Sequence, residues 1–392
     1  PAQVNVMYAI KTNTNLAVRA VLNQEGAGGD CFGEGELFAT FAAGADPAKI
    51  ALNGSNKTTQ SLSIAIDRGV TVNIDAEDEI DRLVELCQEK DQNANVNIRL
   101  KAFSDSYNET KTDYFGGPQL AEYVKRCKWG FSADAAEHLI RRLEKQPELS
   151  LTGFSCHIGR VTQGQTFVAS YGNALGGLVI HLYRRTGFRP KVLDIGGGWA
   201  RERDPESKSL AQHSTTVEDL SEAVCQKLLG CLQQAGLDIP MLWLEPGRYI
   251  AGNASVLLST VGSIKHDLGM TWVNIDASTN DLPRIDTSGS THHVLAANAM
   301  HREAADRVDI VGPICIDSAI GRDRLMPTLA TGDIVAILDA GMYSESASTQ
   351  FNSVPRPATV LVDGADAELV KEREQVADVF RLHRIPPRLR QP

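Results

Sequence analysis

Val70-Thr71-Val72-Asn73-Ile74, the helical run Glu77 to Glu89 and then Asn95-Val96-Asn97-Ile98-Arg99-Leu100 form one strand-helix-strand unit, and this unit decides the fold. Its strands are short and rich in β-branched residues. Its helical run repeats apolar residues at intervals of three and four, which places them on one face. The same alternation extends in both directions. Upstream lie Val4 to Ile10, Gly29 to Phe32 and Lys49 to Asn53; downstream lie Leu151 to His157, Lys191 to Ile195 and Met241 to Leu244. The runs Ala135 to Glu144 and Val217 to Gln234 supply further helices. Eight hydrophobic strands separated by helices predict a parallel sheet covered on its outer face, and that number predicts closure into an α/β (β/α)8 TIM barrel.

After about residue 262 the pattern changes to strands and turns, including Trp272 to Ile275, Arg307 to Val311, Ile334 to Leu338 and Thr359 to Val362. The expected organisation is therefore a barrel over residues 1–262 and a C-terminal β domain over 263–392. The tail from Glu368 is charged and reads as partly helical surface structure. The chain opens on Pro1-Ala2 and enters a strand at once, so an N-terminal segment is expected to be missing.

A formal charge of −10 argues against binding nucleic-acid phosphates, which needs clustered Lys and Arg. No apolar run is long enough to cross a bilayer, so no membrane partner is expected. The seven cysteines are odd in number and contain no CxxC pair, which fits neither a disulfide framework nor a zinc site. No metal and a reducing, cytoplasmic compartment are the expectations.

Barrel enzymes carry their chemistry at the carboxyl ends of the strands. Here those ends hold Lys11, Asp30, Asn53, His157, Gly196-Gly197-Gly198 and Glu245-Pro246-Gly247-Arg248. An ammonium in a barrel mouth is costly unless it is used or neutralised; the other reading of Lys11 is a snorkelling side chain. The glycine run after the seventh strand suits a phosphate approached by backbone N–H groups, or a tight turn. Glu245 and Arg248 are either site residues or a structural ion pair. His157 is either a site residue or a satisfied core histidine.

Tyr8-Ala9-Ile10-Lys11-Thr12-Asn13, His157-Ile158-Gly159, Leu193-Asp194-Ile195-Gly196-Gly197-Gly198 and the Glu-Pro-Gly-Arg run occur in the order seen in diaminopimelate decarboxylases. Gly312-Pro313-Ile314-Cys315, Gly332-Asp333-Ile334, Leu338-Asp339-Ala340-Gly341-Met342-Tyr343, Phe351-Asn352-Ser353 and Arg356-Pro357 continue the likeness. The chain resembles this family, within the fold-type III pyridoxal-phosphate decarboxylases that include ornithine decarboxylase. The resemblance implies a barrel followed by a β domain, pyridoxal 5′-phosphate as cofactor, and decarboxylation of an amino acid. It implies that Lys11 holds the cofactor as a Schiff base, that His157 stacks on its ring and that Glu245 pairs with the pyridinium nitrogen, which makes the ring an electron sink. Asp30, Gly196, Gly197, Gly198, Gly247, Arg248 and Tyr343 complete the expected cofactor set. Cys315 matches the family's acid, delivered from the other subunit of a homodimer with shared active sites.

Two departures bear on the substrate. Where the family has Arg-Pro-Ala-Leu-Tyr this chain has Arg284-Ile285-Asp286-Thr287-Ser288, and where the Glu that takes the distal ammonium follows the Cys it has Ile316, then Asp317. Losing that charged partner should change the preferred substrate, not merely weaken its binding. Arg248, Arg284, Asp317 and Tyr343 are the expected substrate contacts, and an unusual or carrier-bound amino acid fits the altered pocket. Arg160 stands where the family has a small Ser; a phosphate contact, a substrate contact and an outward pose all stay open. The rival activity is amino-acid racemisation, which pairs the ring nitrogen with an Arg and uses a Tyr base; Glu245 and Cys315 favour decarboxylation. A non-catalytic cofactor carrier is the alternative outside enzymes.

Overall fold

The structure is a computed structural model and describes residues 3–104, 107, 119–159, 164–199, 201 and 216–390. Arg160 lies outside them. Eight parallel strands close into a barrel in sequence order: β1 Val4–Ala9, β2 Gly28–Cys31, β3 Ile50–Leu52, β4 Thr71–Ile74, β5 Ala94–Leu100, β6 Leu149–Cys156, β7 Val192–Gly197 and β8 Met241–Glu245. β1 pairs with both β2 and β8, which closes the ring. All eight strands read from the sequence are present, with ends within two residues of the reading.

The strands have apolar residues on two sides, and two clusters result. The larger joins strand residues such as Ile50, Val72, Ile98 and Leu193 to the inner faces of the helices, including Leu62, Leu83, Leu139, Leu175 and Leu228. A small separate cluster of Met7, Ala51 and Trp243 comes from β1, β3 and β8. These strands are not all neighbours, so the three side chains meet inside the barrel, where they form an apolar floor. The helix Val217–Gln234 starts with a capping box, in which the Thr216 hydroxyl accepts the Asp219 N–H and the Asp219 carboxylate accepts the Thr216 N–H.

One buried ion pair ties two barrel loops together. Lys57 Nζ donates to both oxygens of Glu79, at 3.0 and 2.9 Å, and to the Gly54 carbonyl at 2.7 Å. Glu79 Oε2 also accepts the Asp75 N–H, so the carboxylate joins the β3 loop to the end of β4. Burial lowers the Lys57 pKa and the Glu79 charge opposes that effect.

The chain divides into two compact units, and the second begins at Gly252. Its main sheet has six strands: β9 Leu257–Asp267, β10 Met270–Ile275, β11 Val294–Ala296, β12 Asp306–Val311, β13 Ala319–Met326 and β14 Ile334–Ile337, in the order β11-β14-β9-β10-β12-β13. Val261, Val273, Ile310, Val335 and Ile337 anchor its own core. The tail from Glu368 is exposed and helical in part, with a helix Val376–Phe380 and a 3-10 turn Pro387–Leu389. Its first residues finish a strand the sequence reading did not include, β16 Asp366–Lys371, which pairs antiparallel with β15 Thr359–Asp363. Among the described residues no helix is long and apolar enough to cross a membrane.

Replacing Lys57 by Met leaves the Glu79 carboxylate buried without its cation, and urea unfolding should show a loss of about 3–5 kcal/mol. Lys57→Met combined with Glu79→Leu should recover part of it; equal losses in the single and double variants would refute the pairing as the cause.

Candidate active site

β1 ends at Ala9, and a 3-10 turn over Ile10–Thr12 carries Lys11 over the mouth of the barrel. The register pairs Ala9 with Asp30 on β2, so the two residues meet at the same level. Lys11 Nζ lies 2.6 Å from Asp30 Oδ2. The lysine side chain is 40% exposed while the Asp30 side chain is fully buried, and the ammonium also sits 4.6 Å from the centre of the Phe32 ring. Asp30 therefore relies on its partners for the solvation it has lost.

The second partner is Asn53, just past β3. Its amide nitrogen donates to Asp30 Oδ1 at 2.8 Å and to Glu245 Oε1 at 2.7 Å. Glu245 closes β8, which stands three strands away around the ring from β3, so Asn53 and Glu245 reach each other only across the barrel interior. A run of side chains on successive strands stands behind Asn53. Asn73 of β4 donates to Asn53 Oδ1 at 2.9 Å, Asn97 of β5 donates to Asn73 Oδ1 at 3.0 Å, and Thr152 of β6 donates to Asn97 Oδ1 at 2.6 Å. Asp194 of β7 brings a third carboxyl, whose Oδ1 accepts the Gly196 N–H at 2.9 Å. Burial pushes the Asp194 carboxyl well up, and the nearby Glu245 carboxyl pushes it further. Glu245 is also raised, by burial first and the Asp30 charge second, while Lys11 opposes the rise. Burial therefore disfavours charge on both members of this closely coupled pair.

His157 follows β6 and its Nδ1 accepts the Gly197 N–H at 3.1 Å. The residue is open to solvent at the barrel mouth, yet burial among barrel atoms, then Arg99 and Lys11, lowers its pKa to about 3. Those two observations pull apart, and the hydrogen bond decides between them: an Nδ1 that accepts an N–H carries no proton, so the ring is neutral. Gly197 pairs with Glu245, and a Cβ at Gly197 would lie 1.9 Å from the Glu245 carbonyl oxygen. A Cβ at Gly247 would lie 2.0 Å from Thr12 Oγ1. Close strand and loop packing therefore requires glycine at both positions, whatever else binds there. Gly196 and Gly198 have φ of 73° and 87°, the left-handed turn that opens the loop. Arg248 is buried and adds positive potential at His157.

The remaining expected residues lie in the second unit. Arg284 opens the helix Arg284–Ser288, and its guanidinium sits 5.2 Å from the centre of the Tyr343 ring, so these two meet. Tyr343 holds φ at 54°, an unusual conformation for an aromatic residue. Cys315 is exposed, and its N–H is held at 3.1 Å by Asn352 Oδ1, from a residue with φ of 57°. The Asp317 side chain is fully exposed, with Arg322 Nη2 3.9 Å away, and Ile316 is 43% exposed.

The sequence reading noticed Asn53 at a strand end but gave it no role, and it missed Asn73, Asn97, Thr152, Arg99 and Glu36. A signal was present for three of them: Asn73, Asn97 and Arg99 interrupt strands that are otherwise apolar. Arg99 is buried, with Nη1 unpartnered among the described residues and its guanidinium 5.4 Å from the centre of the Trp129 ring. Among the described residues no cluster of His, Cys, Asp or Glu is arranged to hold a metal.

Residues 1–252 match the family model described as pyridoxal-dependent decarboxylase, pyridoxal binding domain, and residues 166–341 match its C-terminal sheet domain. The chain is 32% identical over 390 residues to the diaminopimelate decarboxylase of Methanothermobacter thermautotrophicus, covering 99% of this chain and 87% of that one. It is 34% identical over 379 residues to the Pseudomonas aeruginosa enzyme of the same name, covering 96% and 85%. The crystal structure of diaminopimelate decarboxylase from M. jannaschii in co-complex with L-lysine superposes with a TM-score of 0.89 at 26% identity, covering 99% and 86%.

Glu36 supplies a pH test of this mouth. Its carboxylate accepts the Phe32 N–H at 2.7 Å, and its pKa is pushed up to about 7 by burial first and the Asp30 charge second. A carboxyl raised on folding contributes stability below its unfolded pKa of about 4.5 and loses it as the pH rises through about 7. Glu36→Gln keeps an acceptor for Phe32, so its melting temperature should gain on the native protein across that window and level off above it. A difference that stays constant with pH would contradict the shift.

Proposed function

The chain belongs to the pyridoxal-dependent decarboxylases, and from that premise we propose that it removes the α-carboxylate of an amino acid at the mouth of its barrel, with Lys11 as the anchoring residue. The observation that carries this reading is the convergence of Lys11, Asp30, Asn53, Glu245 and His157 from five different strand ends, four of them linked by hydrogen bonds of 2.6–2.8 Å.

Pyridoxal phosphate is the family's cofactor, and the residues present suit it: a lysine amine, a buried carboxylate, a neutral ring and a glycine turn at one rim, beside a buried guanidinium nitrogen with no partner among the described residues. When bound, the cofactor supplies an electron sink for the pair left behind as CO2 departs. Lys11 Nζ would anchor it covalently. Asp30 Oδ2 takes the proton Nζ must lose to become a nucleophile, and returns it. Glu245 would face the pyridine nitrogen, and its charged form would hold a proton on that nitrogen. His157 would cover the ring face, and a neutral imidazole adds no positive charge there. Gly196, Gly197, Gly198, Gly247, Arg248 and Tyr343 would hold the phosphate or lie beside it.

Cys315 would then deliver the proton from its Sγ to the carbon that has lost CO2, reaching the active site of a second copy in a homodimer. Arg284, Asp317, Tyr343 and Arg248 would contact the substrate. The relatives named above are diaminopimelate decarboxylases, but Ile316 and Ser288 replace the residues that would grip a distal ammonium and its side chain. An amino acid with a shorter, differently placed or masked distal amine, free or on a carrier, therefore suits this chain better than diaminopimelate. Glu245, not an Arg, closes β8 beside Asn53, which weighs against racemisation. Seven cysteines without a disulfide suit a reducing cytoplasm.

Lys11→Ala should abolish amine production and the visible absorbance of the lysine-bound cofactor; survival of both in the purified variant would sink the assignment. Mass spectrometry of the amines released from a panel of basic, acidic and diamino acids should show diaminopimelate outrun by another substrate. Placing Glu at Ile316 should move the preference toward diaminopimelate by about tenfold or more, the scale expected for regaining a charged hydrogen bond.

A further inference from the structure

We infer that Asn53 is a positioning residue for the proposed reaction, and that the side-chain run Thr152-Asn97-Asn73-Asn53 latches it so that one oxygen of Asp30 and one of Glu245 are held and the other oxygen of each is aimed. This deepens the functional reading above and rests on it.

Asn53 has two amide protons, and its nitrogen lies 2.8 Å from Asp30 Oδ1 and 2.7 Å from Glu245 Oε1. One amide therefore bridges two buried carboxylates that would otherwise repel each other at the end of the barrel. Because it occupies Asp30 Oδ1, the other oxygen, Oδ2, is the one that meets Lys11 at 2.6 Å. Because it occupies Glu245 Oε1, the direction of Oε2 is fixed as well. The anchor's proton partner and the acid thus share a single clamp.

The clamp cannot easily turn over. A flip of Asn53 would set its carbonyl oxygen against two carboxylates and its amide protons against those of Asn73. Relief would require Asn73 and then Asn97 to flip in turn; at the end of the run the Thr152 hydroxyl, 2.6 Å from Asn97 Oδ1 and 3.2 Å from the Val96 carbonyl, accepts as readily as it donates, so the opposition to a flip comes from the two carboxylates that face Asn53. Asn53, Asn73 and Asn97 are all at least 97% buried, which makes a broken bond among these three costly. The alternative is that the run only satisfies buried polar groups and has no bearing on the ionisable site.

The two accounts part on pH. Donors to a carboxylate stabilise its charged form, so their loss costs most where the carboxylates are ionised. In cofactor-loaded Asn53→Leu, the melting-temperature deficit against the native protein should shrink as the pH is lowered far enough to protonate Glu245, whose carboxyl burial raises. The pH midpoint of the bound cofactor's visible absorbance should fall, because the positive Lys11 linkage loses anionic neighbours. Turnover number should drop by about tenfold or more while KM moves by less than about threefold, as expected for a lesion that leaves substrate contacts intact. Asn97→Leu leaves both Asn53 donors in place but removes the latch, and should move all three readouts the same way by a smaller amount. If Asn53→Leu does not fold, Asn97→Leu is read alone. A deficit that does not change with pH down into the acid range, with unchanged turnover, in whichever variant folds, would overturn the inference. Amine release by the native protein is measured in the same series: its absence would sink the functional reading, while the pH dependence of the melting deficit still reports on the clamp.

Discussion

The constraint on which the rest of this structure depends is the loss of water around three carboxyl groups, Asp30, Asp194 and Glu245, at the carboxyl end of a closed barrel. A carboxylate moved out of water must recover its solvation from fixed partners or give up its charge. Both responses occur within one layer. Asp30 takes an ammonium and an amide and Glu245 takes an amide, while burial pushes Asp194 toward its neutral form. The apolar floor of Met7, Ala51 and Trp243 keeps water from entering from below, which makes each partner necessary.

Backbone and chemistry are coupled at the same rim. Gly197 brings β7 against Glu245 of β8, and its N–H fixes Nδ1 of His157 beyond β6. Gly247 lets the loop after β8 close on Thr12, next to Lys11. A side chain at either glycine would displace an ionisable group along with the backbone. The glycines that first suggested a phosphate loop have a packing role that holds even without a ligand.

The second unit works differently. Its site candidates lie on turns and short helices, in conformations that need support: Tyr343 and Asn352 with positive φ, and Cys315 held through its backbone by Asn352. In the barrel, side-chain direction follows from strand register; here it follows from loop geometry, and loops accommodate substitution more readily than a parallel sheet. Ile316 and Ser288, the departures noted in the sequence, both fall in this unit.

The sequence by itself determined the barrel, because eight short hydrophobic runs alternating with amphipathic ones have few other ways to bury both kinds of face. Where chemistry would be found also followed from it, since Lys11, Asp30, His157 and Glu245 each end a recognisable strand. The Glu368 strand was not legible, because charged residues on an exposed two-stranded ribbon leave too little apolar pattern. Nor was the run from Thr152 to Asn53: its members are 20 to 55 residues apart in the chain, and each looks alone like a polar residue misplaced in a strand. Pairing of adjacent strands brought the run together, and only closure of the sheet set Glu245 of β8 against Asn53 of β3 across the interior.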